Sequence, residues 1–143
     1  MKNAPARLRA TVPAVLWFIL IMVLLSLPGK SFPTIQIWRP DKLAHIGLFG
    51  MQALLLWVAL AFEKQSDRDL RKALVLAVAL TGLFGFLSEL YQHIFTTRMA
   101  DIYDVLANWV GIILVFILIV WTGFRRTLSW AATILRLPES ETE

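Results

Sequence analysis

The chain has 143 residues, of which 58% are apolar and 17% charged, against a charged share of about 25% in ordinary soluble domains. A bilayer span takes about 20 apolar residues, so this composition serves about four spans and excludes a separate water-soluble domain. The net charge of +4, from 14 basic and 10 acidic residues, reads here as a topology signal rather than an affinity for nucleic acid, and the absence of cysteine excludes disulfides and thiolate chemistry.

Four spans are predicted in chain order, at about residues 11–27, 42–62, 73–95 and 102–122. The first stops at Pro28-Gly29, a helix-ending pair. Its basic lead of Lys2, Arg7 and Arg9 resembles a signal peptide, but no small-x-small cleavage site follows, which favours an uncleaved anchor. The second span carries His45 and Gln52 as its strongly polar interior residues. Residues 63–72 hold seven charges in ten positions and are expected to be a solvated loop. The third span is polar toward its end and the fourth toward its beginning. After Gly123, the mix of Arg125, Arg126, Trp130, Ile134 and Leu135 predicts a short interfacial helix. The fold class expected is therefore all-α, a single polytopic domain of four transmembrane helices in a small bundle.

Orientation follows from the basic residues. Ten lie on one side: Lys2, Arg7 and Arg9, then Lys64, Arg68, Arg71 and Lys72, then Arg125, Arg126 and Arg136. Four lie on the other: Lys30, Arg39, Lys42 and Arg98. The positive-inside rule then places both termini and the central charged segment in the cytoplasm.

Ionisable groups in spans are costly and mark candidate sites. Asp41, His45 and Gln52 share one face of the second span, with Lys42 beside them. Glu89, Gln92 and His93 stand at i, i+3 and i+4 of the third, and Asp101, Asp104 and Asn108 at i, i+3 and i+7 of the fourth. Arg98 lies between the last two spans. With alternating spans, all three stripes fall at the outer end. A rise of about 1.5 Å per residue puts Glu89 about 9 Å inside Phe95 and Asn108 about 10 Å inside Asp101. One polar cavity opening to the outer leaflet is expected, with His45, Glu89, Asp104 and Asn108 inside it and Asp41 and Arg98 at its mouth.

The ordered series Asp41-Lys42-x-x-His45-x-x-x-Phe49, Glu89-Leu90-x-Gln92 and Arg98-x-x-Asp101-x-x-Asp104-x-x-x-Asn108-x-x-Gly111 resembles the VanZ-like family of small bacterial membrane proteins. The resemblance spans about residues 41 to 111. It implies a four-span protein of the bacterial cytoplasmic membrane and a link to resistance toward teicoplanin-type glycopeptides, and it supplies no reaction.

Several chemistries fit these residues. Glu89, His45 and Asp104 are candidates for acid–base work, since neighbouring carboxylates in low dielectric with a histidine can move protons. Alternatively, Lys42, His45 and Arg98 would hold an anionic headgroup while the carboxylates bind sugar hydroxyls or an amine, with Asp41, Gln92, Asp101 and Asn108 completing a site for a lipid or lipid-linked amphiphile. No cofactor is evident. A divalent metal on His45 and the carboxylates has only weak sequence support, because no compact motif of the HExxH kind is present. Against all of these stands a purely structural network in which Lys42, His45 and Arg98 neutralise the acids and fix helix register. His93 reads as a solvated ring, Gly82, Gly85 and Gly111 as close-packing positions, and the oligomeric state is left open.

Overall fold

A computed structural model describes residues 4–27, 40–96 and 101–135. Five helices follow one another: α1 (Ala4–Ser26), α2 (Pro40–Ala61), α3 (Asp67–Phe95), α4 (Ile102–Thr122) and α5 (Phe124–Leu135). The first four are long and apolar enough to cross a membrane.

Local chemistry sets the helix ends. In α2, Pro40 takes the first position, where its missing N–H costs nothing, and Asp41 lies against the positive end of the helix dipole. α3 opens on Ser66, whose hydroxyl accepts from the Asp69 amide at 3.1 Å, with Asp67 and Asp69 in the first turn. The expected loop at 63–72 is thereby corrected. Only the stretch up to Ser66 is a connection, and residues 67–72 are helical, because the cap and the two acids offset the density of charge. Glu63 to Arg68 are exposed, but Leu70 is buried and its carbonyl accepts from the Trp57 indole at 3.3 Å. α1 also begins earlier than the apolar run suggested. It continues through Pro13, a break that spans tolerate when neighbours compensate. Asp101 caps α4 by accepting from the Tyr103 amide at 2.9 Å. α4 ends at Gly123, whose φ of 89° lies where only glycine sits without strain, and the chain turns there into α5.

α2 is the central element and packs on all four of the others. One apolar cluster joins Trp57, Val58 and Ala61 of α2 to Leu70 and Leu74 of α3 and Ile119 of α4, with Phe124, Leu128, Ala131 and Leu135 of α5 packed against it. A second holds Ile21 and Leu25 of α1, Phe49 and Ala53 of α2 and Ile112 of α4. The Trp17 indole ties α1 to α2 by donating to the Leu48 carbonyl at 2.9 Å. Large apolar side chains cover the outer faces of α1, α3 and α4, among them Leu16, Leu83, Phe86, Leu114 and Ile117, each 55% exposed or more. Such a belt is an aggregation hazard in water and an ordinary surface in lipid.

The closest backbone approach is between α2 and α4. A Cβ on Gly111 would lie 2.1 Å from the Ile46 carbonyl oxygen, and one on Gly50 would lie 3.1 Å from the Gly111 oxygen. Both helices need a bare backbone at that level. One turn above it stand His45 and Asn108.

Candidate functional site

The starts of α2 and α4 and the end of α3 meet at one end of the bundle, so their polar residues face one another. His45, Glu89, Asp104 and Asn108 are all buried, at 4%, 3%, 6% and 1% exposure. His45 Nδ1 lies 2.9 Å from Asn108 Oδ1. The Asn108 amide nitrogen donates to the Gly85 carbonyl at 3.4 Å, which leaves Oδ1 as the acceptor and puts the imidazole proton on Nδ1. In the neutral ring Nε2 then carries the lone pair, and it lies 3.9 Å from Asp104 Oδ2. Glu89 Oε1 lies 3.9 Å from His45 Nδ1. One ligand atom from each of His45, Glu89 and Asp104 falls within 4.8 Å of the others.

Lys42 closes the rim. Its ammonium donates to Asp101 Oδ2 at 2.6 Å and to Asp104 Oδ1, with Asp41 at 3.3 Å. The Lys42 side chain is 14% exposed, whereas those of Asp41 and Asp101 are 45% and 39% exposed. Charge therefore grades from a wet rim of Asp41 and Asp101 to a dry floor of His45 and Glu89. The Asp101 amide points inward at Glu89 Oε2, 3.5 Å away. Glu89 Oε1 is buried without a hydrogen-bond partner. One lysine thus stands among four carboxylates in the described residues, and the deepest of the four keeps an orphaned oxygen.

Two expected site residues stand elsewhere or outside the described residues. Gln92 is buried, but its amide nitrogen donates to the Leu25 carbonyl at 3.2 Å, so that amide ties α3 to α1. Three residues on from Glu89 is about 300° of helical rotation, enough to aim the side chain at a different neighbour. Arg98 lies outside the described residues. His93 is exposed. Ser88 donates to the Gly85 carbonyl within its own helix at 2.8 Å, so among the described residues no serine nucleophile is aimed at His45.

Gly50 and the Gly85 carbonyl went unnoticed in the sequence. Gly50 completes the close approach that seats His45 against Asn108, and the Gly85 carbonyl sets the Asn108 amide. A pair of glycines one turn below the polar level on two spans is the signal that could have exposed the first. Farther along the bundle, an apolar cavity of about 280 Å³ between α1, α2 and α3 is lined by Phe18, Leu56, Leu80 and Phe84 together with Gln52 and Thr81. Gln52 Oε1 and Thr81 Oγ1 have no hydrogen-bond partner. A Phe49–Phe84 contact, with ring centroids 5.3 Å apart, stands between this cavity and His45, whose ring stacks on Phe49 at 6.1 Å.

The VanZ/LLP1 family profile matches residues 8–124, more than half of the chain, and the chain belongs to that family. A curated relative, an uncharacterized protein of the fission yeast Schizosaccharomyces pombe, is 30% identical over 103 residues. That alignment covers 71% of this chain and 59% of the relative, so the chain spans about three-fifths of the relative's length. A relative in a fungus means that kinship of this kind reaches beyond the bacteria that the resemblance implied. No solved structure matches the chain.

Proposed function

We propose that this member of the VanZ/LLP1 family is a multi-pass membrane protein that binds or processes an amphiphilic lipid, or a lipid-linked cell-envelope molecule, at the outer end of its bundle. The observation that carries the reading is the buried Glu89 carboxylate with an orphaned oxygen, beneath a part-exposed rim of Lys42, Asp41 and Asp101. An unpaired buried carboxylate costs several kcal/mol, and a span keeps an ionisable group at that cost chiefly where it serves a site. Lys42 suits an anionic headgroup, Asp41, Asp101 and Asn108 suit hydroxyl or amine groups, and Glu89, His45 and Asp104 are the candidates for proton transfer. The ten-to-four excess of basic residues supports cytoplasmic termini. In a bacterial cytoplasmic membrane, the family resemblance would connect such a protein to teicoplanin-type glycopeptide resistance.

The competing reading is a network that only fixes helix packing, and the pairing of Lys42 with Asp101 and Asp104 favours it. That network leaves Glu89 Oε1 unexplained. Native mass spectrometry of the purified protein separates the two readings. An amphiphile retained by the wild type and lost or chemically altered in Glu89→Gln supports a ligand site. No retained amphiphile, with a Glu89→Gln variant more heat-stable than the wild type, supports the network.

A further inference from the structure

We propose that His45, Glu89 and Asp104 form a binding site for one zinc-type divalent cation, held by His45 Nε2, Glu89 Oε1 and Asp104 Oδ2. The proposal takes the site of the preceding section as its place and adds the ion that would sit there.

Each of the three residues has one atom anchored and the other aimed at the same small space. His45 gives its Nδ1 proton to Asn108, Asp104 gives Oδ1 to Lys42, and Glu89 has Oε2 facing the Asp101 amide at 3.5 Å. What remains is a nitrogen lone pair and two carboxylate oxygens. All three are acceptors, all belong to buried side chains, and Glu89 Oε1 has no donor. Acceptors gathered in low dielectric repel one another unless a cation lies between them. Lys42 does not meet that need at Glu89, because its bonds go to Asp101 and Asp104. A protonated His45 would bring its own charge to within 3.9 Å of Glu89 Oε1 and Asp104 Oδ2, so the proposed site is one in which the ring is neutral and the metal supplies the positive charge.

The anchors are those that metal-bound side chains use. A ligating histidine donates its other N–H to an oxygen, which fixes the tautomer and orients the ring, and ligating carboxylates are themselves hydrogen-bonded. Zinc bonds to nitrogen and oxygen of about 2.0 to 2.2 Å require ligand atoms roughly 3.0 to 3.5 Å apart. His45 Nε2 and Asp104 Oδ2 are 3.9 Å apart, and one ligand atom from each of the three residues lies within 4.8 Å of the others, so side-chain rotations that bring Glu89 Oε1 toward Nε2 close the set to that range with no change of helix. One imidazole with two carboxylates and no thiolate suits zinc, with manganese or ferrous iron next in order. Three protein ligands are the number that catalytic zinc sites use, which leaves a position for a water, phosphate or carboxylate oxygen. The ligands come one from each of three helices, so no motif along the chain announces them.

The test uses the full-length protein in detergent, freed of metal by chelator and dialysed. Zinc is titrated by calorimetry and bound metal is counted by elemental analysis. Cobalt(II), a spectroscopic stand-in for zinc, is added to a second sample. We expect one zinc per chain and visible cobalt absorption bands of a low-coordinate site. Glu89→Gln and His45→Ala should weaken zinc binding at least 100-fold, Asn108→Ala should weaken it 10- to 100-fold through the ring orientation, and His93→Ala should leave it unchanged. The proposal is overturned if wild-type protein binds less than half an equivalent of zinc and gives no cobalt bands, whatever the variants do. It is overturned too if His93→Ala abolishes the binding, which would place the ion on the surface. Lipid retained by the same samples is read by native mass spectrometry. Lipid without metal would end the metal site alone, and metal without lipid would end the amphiphile reading alone.

Discussion

Replacing Gly111 by alanine tests the packing that holds the site together. The added Cβ would stand 2.1 Å from the Ile46 carbonyl oxygen, and contacts under 3.0 Å are essentially never seen. The two helices must therefore part there by about 0.9 Å, the difference of those distances. Since the obstacle is backbone, no side chain can swing aside. Overpacking of this kind costs about 1 to 3 kcal/mol. If α2 and α4 part as rigid bodies, the 2.9 Å contact of His45 with Asn108 opens to about 3.8 Å, and a lost buried hydrogen bond adds about 0.5 to 1.5 kcal/mol. Alanine returns about 0.5 to 1 kcal/mol through its better helix propensity. The net expectation is a loss of about 0.5 to 4 kcal/mol, or roughly 2 to 12 °C in apparent melting temperature for a chain of this size. Gly47 is the control, because nothing lies within 4 Å of a Cβ added there, so Gly47→Ala should be neutral or slightly stabilising. The assay is thermal unfolding in detergent, followed by tryptophan fluorescence. Equal stability of Gly111→Ala and Gly47→Ala would refute the close crossing and the site geometry built on it.

Lys42→Met removes the cation between Asp101 and Asp104 and should destabilise the fold by about 3 kcal/mol, near the lower end for breaking a buried pair; a melting temperature within 2 °C or so of wild type would show that the rim is wetter than its burial implies. A cysteine at Ser66, the sole thiol in the chain, should react with an impermeant maleimide only after the cells are opened, and labelling of intact cells would reverse the orientation. Asp67→Asn removes an ion pair with Arg125, 3.0 Å long and about 60% exposed on both sides, and should cost under about 1 kcal/mol. Leu128→Ala, on the apolar face that docks α5, should cost more than Asp67→Asn in the same melts. The reverse ranking would mean that charge rather than packing seats α5.

Period and polarity made the four long helices and the short fifth readable from the chain. They also placed His45, Glu89, Asp104 and Asn108 on facing stripes, because costly polar groups inside apolar runs have few other places to point. The start of α3 is hidden in the sequence because seven charges in ten residues outweigh a three-residue spacing, Ser66 to Asp69, that matches a helix cap. The i, i+3 spacing from Glu89 places Gln92 in the cluster, yet a difference of about 60° in heading delivers its amide to α1. The crossing of Gly50 with Gly111 depends on how two distant segments approach, and no local pattern states that. The anchoring of one side-chain atom on each of His45, Glu89 and Asp104 is illegible for the same reason, since each anchor comes from another segment of the chain.

Lys42 also sets an order on biosynthesis. It lies 59 residues before Asp101 and 62 before Asp104, so it leaves the ribosome well ahead of the groups that neutralise it. Until α4 follows, the only acid near Lys42 on its own helix is its neighbour Asp41. A nascent chain halted before α4 would hold a half-paired ammonium at the edge of one span and the orphaned Glu89 in another. Pulse-chase labelling of a chain ending at residue 96 should then show a shorter lifetime than the full protein, and equal lifetimes would refute the point. Insertion of the last span is, on this view, the step that converts a chain recognisable to membrane quality control into one that is not.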